Sequence, residues 1–163
     1  MKNILYAPWR DEYIAGKKIE GCVFCHISTH AKEDKKSHVL YRDEHCFMVM
    51  NIYPYTPGHF MIIPHKHTDK LEELDEATWL HMSLLAQKGV RLLKEGLGAK
   101  GVNIGMNLGK GAGAGIAEHI HMHLVPRWSR DTNFITALAN TRVYSTDFKK
   151  IYKKIKKLTK KYI

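Results

Sequence analysis

No stretch of this chain approaches the roughly 18 consecutive apolar residues needed to span a bilayer, which argues against a membrane-spanning helix. The N-terminus, Met-Lys-Asn-Ile-Leu-Tyr-Ala-Pro-Trp-Arg, lacks the apolar core of a secretory signal, so a cytoplasmic location is expected. Cysteine is scarce, with three among 163 residues. Three thiols cannot make a disulfide framework. Two of them stand in Cys22-Val-Phe-Cys25, a spacing that in a reducing compartment more often holds metal or does redox work. Acidic residues are missing from one segment: Phe148–Lys161 holds eight lysines and no acid. The formal charge is +10, and without that segment the rest of the chain is only about +2, which argues against a generally basic binding surface. Repeats, low-complexity linkers and βαβ alternation are also missing, and the last of these argues against a Rossmann-type sheet.

What is present suits a soluble globular domain, 44% hydrophobic and 26% charged, long enough to bury a core of its own. His38–Arg42 and Cys46–Asn51 read as strands around an Asp43-Glu44 turn, and His59–Pro64 reads as a third after the breaks at Pro54, Pro57 and Gly58. Asp75 is a candidate N-cap for a helix from about Glu76 to Glu95, stopped by Gly96, with Leu80, Leu84, Leu85 and Leu92 on its apolar side. Gly101–Asn107 is a fourth strand, the histidine-rich stretch after it a fifth, and Asn133–Val143 a further extended candidate. Thr146–Tyr162 reads as an amphipathic helix with Phe148, Ile151, Tyr152, Ile155 and Leu158 on one stripe. Short turns between strands and one long helix predict an antiparallel α+β domain.

The stretch Glu118-His-Ile-His-Met-His-Leu-Val-Pro-Arg-Trp128 carries the chemistry. In an extended strand the side-chain period is two, so His119, His121 and His123 leave one face while Ile120 and Met122 leave the other. Each imidazole on such a face must be hydrogen-bonded, ligated or wet, so a catalytic cluster and a solvated or metal-binding histidine ladder are both open readings. Glycines 109, 111, 113 and 115 precede it at alternate positions. They let the backbone approach a ligand and turn amides toward an anion, although no Gly-Lys-Ser/Thr ending makes this a P-loop.

His119-Ile-His121-Met-His123-Leu-Val resembles the signature of the histidine-triad (HIT) superfamily of nucleotidyl hydrolases and transferases. Asn51-Ile-Tyr-Pro-Tyr-Thr-Pro-Gly-His59 is similar to the ribose-binding turn of that family, and Cys22-x-x-Cys25 to the N-terminal pair of many members. Residues 22–128 carry the resemblance. Met1–Gly21, Met106-Asn107-Leu-Gly, Ala112-Gly-Ala-Gly and Val125–Phe134 resemble the branch containing bacterial diadenosine tetraphosphate phosphorylases. The implied organisation is an arm over 1–21, a HIT domain over 22–145 with about five antiparallel strands and a long helix, and a basic helix over 146–163.

The implied activity is cleavage of a dinucleoside polyphosphate at the α-phosphate through a nucleotidyl-His121 intermediate, with phosphate as acceptor. A hydrolase or phosphoramidase using water, and a non-catalytic zinc-stabilised nucleotide-binding module, are the alternatives. For Nε2 of His121 to attack, its Nδ1–H must be held by an acceptor, most simply a backbone carbonyl. His123 is then placed to bond phosphate oxygens. Backbone amides around Gly113 and Gly115 would stabilise transition-state charge.

Many family members place Gln or Ser just before the first histidine. Here Gly115-Ile-Ala-Glu118 offers neither, so main-chain amides, Asn107 or Lys110 are candidates for that role. Asn51 matches the position that bonds ribose hydroxyls, with a plain turn residue as the alternative, and His59 is a further pocket candidate. Arg127 and Trp128 suit a distal phosphate and second nucleoside, or surface packing. Zinc-bearing relatives complete the cysteine pair with histidines that fall here on His67 and His119, with His65 close enough to compete. Four protein ligands would make the zinc structural. An adenine-nucleotide substrate, no organic cofactor and a homodimer or higher homo-oligomer complete the expectation. The lysine-rich helix is open to three readings: a solvated face, an electrostatic funnel for the polyanionic substrate, or a nucleic-acid or anionic-membrane contact.

Overall fold

The computed structural model describes residues 21–129 and 146–163. The N-terminal arm and the extended segment expected at 133–143 lie outside the described residues. A short helix, α1 (Val23–Thr29), leads into strands β1 (Val39–Arg42), β2 (Cys46–Met50) and β3 (Phe60–Pro64). Helix α2 (Glu76–Arg91) follows, then β4 (Gly101–Met106), β5 (Met122–Arg127) and helix α3 (Phe148–Tyr162). The five strands form one antiparallel sheet in the order β1-β2-β3-β5-β4. This is the expected α+β architecture.

Alternation along the strands divides the interior in two. Met48, Met50, Phe60, Ile62, Met122 and Leu124 face a large core closed by α2 and α3. Phe47, Val49, Met61 and Ile63 face a smaller one closed by Phe24 of α1 and by Ile116. In the ladder His123 stands opposite Met61 on one side and Gly105 on the other, which puts its ring on the smaller-core face.

Helix α2 starts where expected: the Asp75 carboxylate accepts from the Thr78 amide at 2.8 Å. Its end differs. Gly96 does not stop it. The last turn, Leu92–Leu97, widens to a π-helix, and Gly98, left-handed at φ 90°, ends it. Gly96 instead leaves space for α3, since a Cβ there would lie 3.0 Å from Leu158 and Tyr162 side-chain atoms. The apolar side was also misplaced. Leu80 and Leu84 are 62% and 57% exposed, while Met82, Leu85, Ala86, Gly89, Leu92 and Leu93 are buried. At 100° per residue those six share one stripe, and Leu80 and Leu84 fall on the far side.

Helix α3 buries Ile151 and Ile155 as its stripe required. One of its lysines does not belong to the solvated face. Lys156 turns inward and donates to the carbonyls of Val39 and Leu40, both at 2.9 Å, and Thr159 adds a bond to Leu40 O at 3.3 Å. The helix is thereby tied to β1, which is an edge strand of the sheet.

Candidate active site and metal-ligand cluster

The ladder of β5 begins only at Met122, so His119 and His121 precede it instead of lying within it, a correction to the reading of a single histidine strand. The backbone bends at His119, and the next residue is anchored. Ile120 N–H donates to Thr68 O at 2.9 Å, and the Ile120 side chain is 3% exposed in the large core. The alternation therefore survives without sheet pairing. Ile120, Met122 and Leu124 enter the large core, and the rings of His119 and His121 pack on Phe24 of the smaller one, with centroids 5.6 and 5.2 Å away. All three triad imidazoles are buried.

Hydrogen bonds place the proton of each neutral ring, and His121 differs from the others. The Nδ1 of His121 lies 2.8 Å from the carbonyl of His119. A carbonyl only accepts, so Nδ1 carries the proton and Nε2 keeps its lone pair. For His123 the assignment comes through His59. The Tyr55 amide donates to His59 Nδ1 at 3.2 Å, so the single proton of a neutral His59 sits on Nε2. Nε2 of His59 lies 2.9 Å from Nδ1 of His123 and donates to it. His123 consequently holds its own proton on Nε2. The result is a lone pair on His121 beside an N–H on His123, with ring centroids 4.8 Å apart.

Burial keeps the relay uncharged. It pushes His59 down to about 3 and His123 down to about 4, and the neighbouring triad imidazoles add to both shifts. Burial also lowers His119, against an opposing contribution from its bond to Pro64 O.

His119 faces the other way. Its Nε2–H donates to Pro64 O at 3.0 Å, leaving Nδ1 unprotonated, 3.4 Å from Cys22 Sγ and 3.6 Å from Cys25 Sγ. His67 Nδ1 is 3.2 Å from Cys25 Sγ. The donor atoms of Cys22, Cys25, His67 and His119 all lie within 4.8 Å of one another, a two-sulfur, two-nitrogen set of the kind zinc prefers. His65 is engaged elsewhere, with Nδ1 2.7 Å from Ser28 Oγ and Nε2 2.9 Å from Asp43 O. His26 and His30 stack on each other at 4.1 Å, outside the cluster. Burial, with Cys22 alongside, raises the Cys25 thiol, so an incoming cation must displace its proton.

An open pocket of about 370 Å³ adjoins His123 and is lined by Tyr55, Asn103, Met106, Asn107 and Arg127, among others. It brings together three of the expected residues, His123, Asn107 and Arg127. Lys110, Gly113 and Gly115 are exposed on the glycine loop and do not line it. Trp128 is partly buried and donates its indole N–H to Pro57 O at 3.3 Å, which matches its packing alternative. Asn51 is partly committed to the turn, its side-chain oxygen accepting from the Tyr53 amide at 2.8 Å. Its amide nitrogen lies 3.5 Å from His59 Nε2, and Asn51 does not line the pocket. Asn103, which accepts from Arg127 Nη1 at 3.1 Å, and Tyr55, with its ring 4.8 Å from that of His59, had not been anticipated. Asn103 was findable in principle, since it is a polar residue in a strand next to the histidine stretch. Tyr55 sits in an irregular turn and gave no pattern.

Comparison with known proteins places these features in a family. A model described as "HIT domain" matches residues 32–130. The chain is 39% identical over 110 residues to a protein of Mycobacterium tuberculosis named AP-4-A phosphorylase, covering 68% of this chain and 56% of that one. It thus spans little more than half the length of that relative. An uncharacterised HIT-like protein of Methanocaldococcus jannaschii is 30% identical over 135 residues, 83% of this chain and 98% of its own. Among solved structures, a zinc-bound histidine-triad family protein from Mycobacterium smegmatis superposes with a TM-score of 0.70 at 31% identity, covering 86% of this chain and 94% of that one.

The neutral relay has a consequence for stability. His59 and His123 titrate below the ordinary imidazole value of 6.5 in the folded chain. Between about pH 6.5 and 4 the unfolded chain therefore binds protons that the folded chain refuses. This contribution to stability is complete above that window and is lost as pH falls through it. The thermal midpoint is expected to drop with acidification across the window, less steeply in His59→Gln; equal slopes in the two proteins would contradict the assignment.

Proposed function

Because the chain belongs to the HIT domain family, we propose that it is a nucleotidyl transferase that cleaves dinucleoside polyphosphates of the diadenosine tetraphosphate kind and passes the nucleotidyl group to phosphate. The observation that carries this reading is the bond from His121 Nδ1–H to His119 O, because it leaves Nε2 as a buried, oriented nucleophile. Nε2 attacks the α-phosphorus, the bond from that phosphorus to the bridging oxygen breaks, and the distal nucleoside polyphosphate departs. His123 Nε2–H bonds the phosphoryl or leaving oxygen where charge grows, and needs no full proton transfer to a polyphosphate that leaves as an anion. Inorganic phosphate then attacks the nucleotidyl-His121 phosphorus, releasing a nucleoside diphosphate and regenerating the imidazole. Asn51 is assigned to the ribose. Asn107, Arg127 and the amides around Gly113 and Gly115 are assigned to the phosphate chain, with Lys110 at its outer edge. The name of the M. tuberculosis relative supports the choice of phosphate over water.

Cys22, Cys25, His67 and His119 fit a structural zinc ion, and the zinc-bound relative from M. smegmatis supports that reading. The ion would fill its tetrahedron with protein ligands and supply cohesion, tying α1 to the residue whose carbonyl holds His121. Free thiols in these cysteines accord with a cytoplasmic location. Among the described residues no helix is long and apolar enough to cross a membrane. A homodimer through β4 belongs to the same reading. β4 ends the sheet, Ile104 on it is 49% exposed, and the apolar groove between β4 and α2 is lined by Ala86, Val90, Ile104 and Met122.

Incubation of the full chain with diadenosine tetraphosphate is expected to yield ADP and ATP only when phosphate is present. His121→Asn is expected to fold normally and to lose about a thousandfold or more of this turnover. AMP formed without phosphate would show a hydrolase, and binding without products a non-catalytic module. Protein purified without chelator is expected to carry about one zinc per chain and to sediment as a dimer. Metal-free protein with an unchanged melting temperature would remove the zinc assignment.

A further inference from the structure

Helix α3 has a second face that the proposed reaction does not use. Lys149, Lys150, Lys153, Lys154, Lys157, Lys160 and Lys161 are all exposed. At 100° per residue they fall within an arc of about 140°, and the stripe runs for roughly 17 Å along the axis. The helix itself contains no acidic residue. The capping carboxylate of Asp147 is engaged with the Lys150 amide at 2.7 Å, and none of the seven lysines makes an ion pair among the described residues. Like charges at i,i+3 and i,i+4, such as Lys150–Lys153, Lys153–Lys157 and Lys157–Lys160, oppose the helix. No acidic side chain among the described residues pairs with them.

Two features narrow what the stripe contacts. The apolar side of the helix is already used: Ile151 and Ile155 are 8% and 0% exposed in the large core, and Lys156 is bonded to the β1 carbonyls. It cannot also enter a lipid interface without leaving the domain. The helix covers the large-core face of the sheet, whereas His121 and His123 lie on the smaller-core side. A funnel into the active site is therefore a poor account of this charge. Phe148, Tyr152 and Tyr162 are partly buried against the core, and the Tyr162 ring is already covered by Lys161 Nζ at 5.1 Å, so the lysine face offers no open stacking platform for unpaired bases.

We propose that the exposed lysine stripe of α3 is a docking surface for the backbone of double-stranded nucleic acid, read by charge and not by sequence. A duplex carries one phosphate charge per about 1.7 Å of axis, so a stripe of this length faces several phosphates and releases their counterions on contact. The surface acts independently of the triad, and the assembly would hold the enzyme on a nucleic acid while its site stays open on the opposite face.

The test is fluorescence anisotropy of a labelled DNA duplex of about 20 base pairs with the full chain, from about 50 to 200 mM salt, beside the variant Lys153→Gln/Lys157→Gln/Lys160→Gln. The expected result is binding that is indifferent to base sequence, with a log–log salt slope of about −3 or steeper. The variant should bind at least about tenfold more weakly while melting at the wild-type temperature. Failure to bind at the lowest salt, a slope near zero, or equal affinity in a folded variant would overturn the proposal. So would phosphatidylserine vesicles that bind at least as tightly as the duplex at matched phosphate. If the variant does not fold, the slope and the vesicle comparison of the wild-type chain decide.

Discussion

A single backbone carbonyl, that of His119, organises the chemistry of this fold. It takes the Nδ1 proton of His121 at 2.8 Å and so decides which nitrogen can attack. Its position depends on contacts made by its own residue and the next. The His119 ring is anchored through Nε2 to Pro64 at the end of β3, and Ile120 is bonded to Thr68 and buried in the large core. The cysteine pair of α1 closes on the opposite nitrogen of the same ring. One residue thus joins the proposed metal cluster, the sheet and the proposed nucleophile, so a structural ion there would bear on the proposed reaction.

The second constraint is the burial of imidazoles beside one another. His59, His119 and His123 are each 9% exposed or less, and burial disfavours their protonated forms. The fold meets this by giving the rings complementary tautomers. The Tyr55 amide polarises His59, and His59 polarises His123. The outcome is an acceptor and a donor side by side, which is what displacement at phosphorus requires.

Much of this was readable in the residues because the period-two spacing separates the histidines from Ile120 and Met122. The His119 and His121 rings both pack on Phe24 while Ile120 and Met122 enter the large core, although only His123 is in β5 and the backbone bends at His119. Cys22 and Cys25, with the family pattern, pointed to histidines that cluster with them in the structure, but separating His67 from His65 needed the Ser28 and Asp43 contacts that occupy His65. Leu80 and Leu84 were assigned inward because hydrophobicity alone does not say which of two apolar stripes meets the sheet, and theirs meets the surface. The inward turn of Lys156 was illegible for the same reason: its partners are backbone carbonyls more than a hundred residues away. Asn51 and Trp128 show the limit for single residues, since each makes a local bond that its family position does not disclose.

The central claim is that hydrogen bonding places the lone pair on Nε2 of His121 and the proton on Nε2 of His123. Long-range proton–nitrogen correlation NMR of the imidazoles in the full chain near neutral pH reads this directly, with His121→Gln and His123→Gln supplying the assignments. The account predicts a His121 ring protonated at Nδ1 and a His123 ring protonated at Nε2. A His121 proton on Nε2, or a His123 proton on Nδ1, would contradict it.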